Sequence, residues 1–258
     1  MERKVCVVTG SSSGIGAATA RLYAERGWNV VVNYSREAAP AEAVADECRQ
    51  LGSALGVEVL VQQANVALDA DCRALAAAVE ARWGRCDVLV NNAGTTKFVG
   101  ARNLDGLDAE DFQRIYAVNV IGAFQMVRAL EPLLKRHPPG AVVNMSSIAS
   151  TTGMGSSVAY VASKGALNAM SFALARALGP SIRVNAIAPG LVETPWLQNG
   201  LGAERYAAMV QAYKSRAALA DVIVPEDVAR AAWYLGVDAQ KTTGEVLAVD
   251  AGAKLLPM

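Results

Sequence analysis

Seven short runs of the chain are almost continuously apolar and rich in β-branched residues. Such runs, without strict alternation of apolar and polar positions, are typical of parallel strands buried on both faces of a sheet. The pattern therefore predicts seven buried strands: KVCVVT (4–9), WNVVVN (28–33), VEVLVQQ (57–63), CDVLVN (86–91), AVVNMS (141–146), IRVNAIA (182–188) and EVLAVD (245–250).

Between these runs the apolar residues recur at helical spacing, which predicts helices over 14–27, 41–52, 69–83, 108–136, 158–179 and 225–236. Strands that alternate with helices are typical of βαβ units. We therefore predict an α/β fold, a Rossmann-type doubly wound parallel sheet of about seven strands with helices on both faces. A chain of 258 residues could hold two small domains, but no linker interrupts the pattern, so a single domain over residues 1–258 is expected.

One region departs from this alternation. The segment 195–220 lies between two predicted strands but carries extra helical turns, two glycines and Trp196. Insertions that follow the carboxyl end of a strand in such sheets lie beside the ligand crevice. We therefore predict that 195–220 is a substrate lid.

Composition narrows the functional classes. Basic and acidic residues balance at 24 each and 53 % of residues are hydrophobic, which disfavours disorder and a nucleic acid partner. The four cysteines are scattered and His137 is the single histidine, so no metal site is expected. The apolar part of the N-terminus is too short for a signal peptide, and no apolar run approaches about 18 residues. A cytoplasmic protein without a membrane partner is expected.

A glycine loop, TGSSSGIG (9–16), follows directly on the first predicted strand. Where such a loop joins a strand to a helix, backbone N–H groups and the positive end of the helix can approach a pyrophosphate. The spacing of Gly10, Gly14 and Gly16 differs from the commoner GxGxxG, and an ordinary tight turn between a strand and a helix could have the same sequence pattern. Its position at the first strand–helix junction favours a dinucleotide site.

The end of the second strand indicates which dinucleotide is bound. Folds that bind NAD place an acidic side chain there for the ribose hydroxyls, about 20 residues after the loop. Here Asn33 replaces the carboxylate and is followed by Tyr34, Ser35 and Arg36. Arg36 could pair with a 2′-phosphate that no anion repels, which favours NADP(H) over NAD(H). If Arg36 is only a solvated loop charge, NAD(H) remains open.

Six motifs occur in one order and spacing along the chain: TGSSSGIG, NNAG (91–94), Asn119 in YAVNVIGAF, the serines of NMSSIAS, the pair Tyr160 and Lys164, and NAIAPGLVET (185–194). Together they resemble the short-chain dehydrogenase/reductase family, nearest to its 3-oxoacyl-acyl-carrier-protein reductase-like and carbonyl reductase-like members. The resemblance covers essentially the whole chain. It implies hydride transfer between a nicotinamide cofactor and a carbonyl or secondary alcohol, and an oligomer, usually a homotetramer.

The resemblance also implies the catalytic residues Asn119, Ser147, Tyr160 and Lys164. Tyr160 would act as general acid and base, and Lys164, on the same helix face at i+4, would favour its ionised form, since a free tyrosine has a pKa of about 10. Ser147 would hydrogen-bond the carbonyl oxygen. Asn119 would hold a water that connects Lys164 to solvent.

The expected cofactor contacts follow from the same motifs. Asn65 stands where the family usually has Asp, but its side-chain oxygen can still accept from the adenine amino group. Ser13 stands where many NADP(H)-preferring relatives carry a basic residue, so Arg36 alone supports that preference. The full set is Gly10, Ser12, Ser13, Gly14, Ile15, Gly16, Asn33, Tyr34, Ser35, Arg36, Asn65, Val66, Asn92, Ala93, Gly94, Tyr160, Lys164, Pro189, Gly190, Val192 and Thr194.

The substrate is left open by the sequence. The expected lining has no basic residue, which suits an uncharged or apolar small molecule: Thr95, Thr96, Phe98, Ile148, Met154, Trp196, Leu197 and Met209. Lys97 and Arg102 could form a basic patch for an acyl carrier protein. Acyl thioester or small-ketone reduction, NAD(H)-dependent sugar or polyol dehydrogenation and a non-catalytic dinucleotide sensor are the alternatives. A methyltransferase is disfavoured because NNAG and the Tyr–Lys pair would then be idle.

Overall fold

The computed structural model describes residues 3–255. The first two and last three residues of the predicted domain lie outside the described residues. All seven predicted strands are confirmed, with ends shifted by one or two residues: β1 Val5–Val8, β2 Asn29–Tyr34, β3 Val59–Gln63, β4 Val88–Asn91, β5 Gly140–Met145, β6 Ile182–Pro189 and β7 Val246–Val249.

The helices alternate with the strands as the periodicity predicts. They are α1 Gly14–Glu25, α2 Ala38–Leu51, α3 Asp69–Trp83, α4 Ala109–Tyr116, α5 Ala123–Leu134, α6 Ala149–Thr152, α7 Val158–Leu178, α8 Pro195–Leu201, α9 Ala203–Lys214 and α10 Pro225–Trp233. The predicted lid region thus contains α8 and α9. Proline at the first position of α8 and of α10 suits a helix start, where its missing N–H costs no hydrogen bond.

The strands form one parallel sheet in the order β3-β2-β1-β4-β5-β6-β7. The chain steps outward from β1 to β3, then returns to place β4 on the other side of β1. The connections after β1 and β4 therefore leave the sheet towards opposite faces. A crevice opens between them at the carboxyl edge, where ligands bind in sheets of this kind.

Apolar side chains fill a layer on each face of the sheet. On one face α1, α2 and α10 contribute buried residues such as Tyr23, Val44 and Val228. On the other face α3 and α5 contribute residues such as Leu75 and Leu130, with the C-terminal part of α7 beside them. Helices on both faces, as predicted, enclose the central strands, and all four cysteines are buried free thiols.

The predicted helix over 108–136 is interrupted. Its α-helical parts, α4 and α5, are joined by a π-helical segment over Ala117–Gly122. Apolar periodicity does not distinguish a π-turn within an α-helix, so the sequence pattern could not show it. Within the described residues, Ala109–Leu134 is long and apolar enough to cross a membrane by length and composition, and half of its most apolar window is buried in the fold.

Candidate active site

A cavity of about 670 Å³ opens at the carboxyl edge of the sheet. It extends from the turn after β2 to α8, and most of the predicted site residues line it. These are Gly10, Ser13, Gly14, Ile15, Asn33, Ser35, Arg36, Asn65, Val66, Asn92, Ala93, Gly94, Ser147, Tyr160, Lys164, Pro189, Gly190, Val192 and Thr194. Residues that are far apart in the sequence are therefore brought to one continuous surface.

The remaining predicted residues lie just outside this cavity. Ser12 and Tyr34 line an adjoining pocket of about 240 Å³, which also includes Ser35, Arg36 and Glu37. Gly16 is buried on the first turn of α1. Sequence reasoning missed Glu37, whose carboxylate shares this pocket with the guanidinium of Arg36.

The glycine loop fits the close approach of a ligand to the backbone. Gly10 and Gly14 have positive φ values of 61° and 54°, which other residues rarely adopt. A Cβ on Gly16 would lie 2.5 Å from the side-chain nitrogen of Asn92 and 2.5 Å from the carbonyl oxygen of Gly10. Only glycine allows α1 to begin so close to β4, and the α1 N-terminus faces the cavity at Ser13 and Gly14. The residues present therefore fit the pyrophosphate of a dinucleotide.

Asn92 connects the end of β4 to the glycine loop. Its side-chain nitrogen donates to the carbonyl oxygens of Thr9 and Gly10 at 2.9 and 3.0 Å. The hydroxyl of Thr9 in turn accepts from the backbone N–H groups of Asn92 and Ala93, each at 3.0 Å. These bonds fix the width of the crevice between the two connections.

Asn33 has a different role from the one its position suggests. Its Oδ1 accepts from the N–H of Gly10 at 2.9 Å, and its Nδ2 donates to the carbonyl oxygens of Tyr34, Gln62 and Ala64 at 3.1–3.2 Å. The residue is 1 % exposed. Its side chain stands at the predicted place, but its polar atoms already bind the glycine loop and β3, so it supports the site from behind.

We expect Asn33→Asp to lower the free energy of unfolding by about 3 kcal/mol, because a carboxylate cannot donate to the three carbonyl oxygens and would be buried against them. Urea unfolding measures this. Ser35→Asp adds the same charge two residues further on, at an exposed position, and should change stability by less than about 0.5 kcal/mol. An Asn33→Asp protein as stable as the parent would contradict the supporting role.

Tyr160 and Lys164 lie on α7 and face the cavity beside the end of β5. The ammonium of Lys164 lies 5.5 Å from the centroid of the Tyr160 ring and donates to the carbonyl oxygen of Met145 at 2.7 Å. Lys164 is 4 % exposed. Burial of its ammonium lowers the pKa of Lys164 to about 8.

The structure differs from the expectation that Lys164 lowers the pKa of Tyr160. Burial raises the pKa of Tyr160 to about 12, and a side-chain hydrogen bond with Ser147 opposes that rise. The ammonium of Lys164 donates to the Met145 carbonyl rather than to the phenol. In the protein alone, the phenol of Tyr160 therefore stays neutral across the neutral pH range.

Asn119 lies in the π-helical segment, behind Gly94. Its Oδ1 accepts from the N–H of Thr95 at 2.8 Å, and its Nδ2 donates to the Thr95 carbonyl and the Ser163 hydroxyl, each at 3.0 Å. A Cβ on Gly94 would lie 3.6 Å from this Oδ1 and 3.8 Å from Lys164 Nζ. The structure thus brings Asn119 and Lys164 to the same side of Gly94, with one lone pair of Oδ1 left for a water.

The serine pair divides as the spacing predicts. Ser147 makes the hydrogen bond with Tyr160 and also accepts from the N–H of Ala149 at 3.1 Å. Ser146 is 3 % exposed and donates to the carbonyl oxygen of Lys164 at 3.4 Å. Ser147 is therefore the serine that is placed to contact a carbonyl next to Tyr160.

The predicted substrate lining is only partly found. Thr95, Trp196 and Leu197 line the cavity, and Phe98 packs against Trp196. The other predicted members, Thr96, Ile148, Met154 and Met209, are not among the lining residues.

Arg114, which was not among the predicted site residues, also lines the cavity. Its guanidinium pairs with Asp111 at 2.9 Å, which the sequence pattern did not reveal.

Lys97 is also already paired. Its ammonium binds the carboxylate of Asp111 at 2.5 Å, a contact that lowers the pKa of Asp111 to about 2. This carboxylate offsets one of the two charges expected to form a basic patch. Within the described residues, 3–255, no group of three or more His, Cys, Asp or Glu side chains is placed to hold a metal ion.

Comparison with known proteins agrees with this geometry. A family model described as Enoyl-(Acyl carrier protein) reductase matches residues 10–254. The chain is 42 % identical over 255 residues to a Streptomyces violaceoruber protein named as ketoacyl reductase 2 of the granaticin polyketide synthase, covering 99 % of this chain and 98 % of that protein. It is 36 % identical over 266 residues to 3beta-hydroxysteroid dehydrogenase 1 of Eggerthella lenta, covering 100 % and 96 %.

Solved structures show the same architecture. A short-chain dehydrogenase/reductase from Burkholderia xenovorans matches with a TM-score of 0.89 and 40 % identity over 99 % of both chains. The aldohexose dehydrogenase of Thermoplasma acidophilum matches with a TM-score of 0.84 and 25 % identity, over 99 % of this chain and 96 % of that one. The similarity extends along the whole chain and is not limited to the part that contains the glycine loop.

Proposed function

The chain belongs to the short-chain dehydrogenase/reductase family and is an NAD(P)-dependent oxidoreductase, and on that premise we propose that it uses NADP(H) to reduce a ketone, with Tyr160 as the proton donor. One observation carries the proposal. Ser147, Tyr160 and Lys164 line one end of the same cavity whose other end holds the glycine loop and Arg36. A dinucleotide that follows this cavity would bring its nicotinamide beside the phenol.

The chemistry divides among these residues. Bound NADPH supplies a hydride to the carbonyl carbon. The hydroxyl of Tyr160 donates its proton to the carbonyl oxygen as negative charge develops there, so the ketone becomes a secondary alcohol. The Ser147 hydroxyl donates a hydrogen bond to the same oxygen and orients it. Lys164 holds a positive charge beside Tyr160, and Asn119 holds a water from which the phenol recovers its proton.

The NADP(H) preference rests on Arg36. It lines both the main cavity and the adjoining pocket, where Ser12 and Ser35 can donate hydrogen bonds to a phosphate. Among the described residues that line this pocket, Glu37 supplies the carboxylate. The bidentate pairing of the Arg36 guanidinium with a 2′-phosphate outweighs the repulsion between that phosphate and Glu37.

We expect Arg36→Ala to weaken NADPH binding by about 30-fold and NADH binding by less than about threefold, since a charge-assisted pair contributes about 2 kcal/mol. Glu37→Gln is the matched change in the same pocket, and it should tighten NADPH modestly. Dissociation constants from fluorescence titration measure both. Equal losses for the two cofactors in Arg36→Ala would remove the basis for NADP(H).

The remaining assignments belong to the same proposal. We propose a single cytoplasmic domain in which α8 and α9 act as the substrate lid over 195–220. We further propose a homotetramer, supported by exposed apolar side chains on adjacent helices, Ile121 at 51 %, Phe124 at 41 % and Phe172 at 50 % exposure. The mass of the protein in solution tests the oligomer.

An activity matrix tests the proposed function as a whole. NADPH and NADH are each combined with 3-oxoacyl thioesters, cyclic ketones and, for the reverse reaction, sugars and polyols, and the absorbance of the reduced nicotinamide is followed. Turnover of ketones with NADPH is expected. Cofactor binding without turnover of any substrate would favour a dinucleotide sensor instead.

A further inference from the structure

Three aromatic rings stand together over the reactive end of the cavity. The ring centroids of Phe98 and Trp196 are 5.7 Å apart at an interplanar angle of 52°, and those of Trp196 and Tyr160 are 6.4 Å apart at 43°. Trp196 remains 43 % exposed although it contacts both neighbours. The indole therefore presents a free apolar face next to the proposed proton donor.

The position of Phe98 is set by its neighbours. A Cβ on Gly200 would lie 2.1–2.8 Å from three carbon atoms of the Phe98 ring, so the ring rests directly on the backbone of α8. The loop that carries Phe98 is in turn tied to the segment before α7. Val99 N–H donates to the carbonyl oxygen of Ser156 at 2.8 Å, and the hydroxyls of Thr96 and Ser156 are 2.6 Å apart.

Trp196 contacts two neighbouring aromatic rings. It lies one residue after Pro195, at the start of α8, and its ring packs against those of Phe98 and Tyr160. Phe98, Tyr160 and Trp196 come from three separate segments, and their ring contacts are present without a substrate. A preorganised aromatic surface loses little conformational freedom when a flat molecule stacks on it.

The same end of the cavity is poorly suited to a charged or carrier-bound substrate. Leu197 extends the apolar wall. Lys97, the nearest candidate for a phosphate or an acidic carrier protein, already pairs with the carboxylate of Asp111. The polar side chains at this end include those of Ser147 and Tyr160, which are placed to bind one carbonyl oxygen.

We propose that Phe98 and Trp196 form an aromatic clamp that selects ketones whose carbonyl is part of, or adjacent to, a flat fused-ring system, in preference to straight-chain 3-oxoacyl thioesters. This inference rests on the proposed function, whose reaction it takes as given. Stacking on the indole directs the ring carbonyl towards Ser147 and Tyr160. A flexible acyl chain gains less from the same surface, because it must be ordered as it binds.

The experiment compares 2-tetralone, a bicyclic ketone whose carbonyl ring is fused to a planar benzene ring, with the N-acetylcysteamine thioester of 3-oxooctanoic acid, both with saturating NADPH. We expect the wild-type kcat/KM to be at least tenfold higher for 2-tetralone. Trp196→Ala and Phe98→Leu should each lower that value about tenfold, as expected for the loss of an aromatic contact, and leave the thioester value within about threefold. Tyr234→Ala removes an aromatic side chain of similar exposure from the π-helical segment that follows α10. This control variant should change neither of the two kcat/KM values.

The outcomes separate the clamp from the proposed function. A wild-type preference for the thioester, or equal losses for both substrates in Trp196→Ala, would overturn the clamp while leaving ketone reduction intact. The dissociation constant of 2-naphthol for the NADPH-loaded protein, measured by calorimetry, tests the clamp without requiring turnover. If no ketone reacts but 2-naphthol binds about tenfold more weakly to Trp196→Ala, the clamp stands and the proposed reaction fails. If 2-naphthol does not bind, the clamp is wrong.

Discussion

Tyr160→Phe is expected to lower kcat by about 10³-fold, because it removes the single hydroxyl proposed to protonate the substrate oxygen. The ring, its contact with Trp196 and its place against Lys164 remain, so the dissociation constant of NADPH should stay within about threefold. Steady-state turnover of 2-tetralone and fluorescence titration of NADPH measure the two quantities.

Tyr234→Phe removes a phenol at a distant exposed position and should keep full activity. A Tyr160→Phe enzyme with kcat within tenfold of the parent would show that another group supplies the proton. The mechanism would then need a donor other than Tyr160, and Ser147 would be the next side chain to test.

Lys164→Met is expected to lower kcat/KM by about 10²- to 10³-fold while making the folded protein more stable at pH 7. The loss of activity follows from the proposed role of the ammonium beside Tyr160 and the cofactor. The gain in stability has a separate cause. Burial disfavours the charged form, as its lowered pKa shows, and methionine occupies similar space without a charge.

The lowered pKa of Lys164 also predicts how the stability difference between the two proteins changes with pH. The pKa of Lys164 is about 8 in the folded protein and 10.5 for the ordinary side chain, so the cost of the buried charge is fully present below pH 8. Above that, the folded state loses the proton first, and the cost is relieved as the pH rises towards 10.5. From pH 7 to 9.5 the wild type should gain about 2 kcal/mol relative to Lys164→Met.

Urea unfolding of both proteins at these two pH values, at one protein concentration, measures the difference directly. Other titrating groups act equally in both proteins and cancel. A difference that does not change between pH 7 and 9.5 would mean that the buried ammonium is not destabilised, and Lys164 would then be a protonated residue with an ordinary pKa.

The strand pattern was predictable because burial on both faces leaves a direct mark on the sequence. Val5–Val8 and Val88–Asn91 are central strands whose side chains meet helices on either side, so few polar residues are tolerated. The break in the long helix left no such mark. Within Ala117–Gly122 the apolar spacing is compatible with an α-helix. The structure shows in addition that Gly122 packs closely against Val66, because a Cβ on Gly122 would lie 2.8 Å from a side-chain carbon of Val66.

Site residues were predictable where backbone geometry or spacing identifies them. The glycines of the loop, and Tyr160 and Lys164 one helical turn apart, belong to this class, and the structure gathers them around one cavity. Side chains whose partners come from distant segments could not be placed by spacing alone. Asn33 lines the cavity, but its polar atoms bind Gly10 and the β3 connection. Lys97, a candidate for a basic patch, pairs with Asp111.

The sequence by itself determined the seven-stranded doubly wound sheet and the glycine loop at its first strand–helix junction, because each depends on local periodicity or on a short fixed spacing. The candidate catalytic side chains came from the family resemblance that the six motifs carry. The tertiary structure alone decided which of these residues share a cavity, that burial raises the pKa of Tyr160, and that Phe98 rests on Gly200 beside Trp196. Burial and ring contact are properties of groups brought together from distant segments, and no local pattern records them.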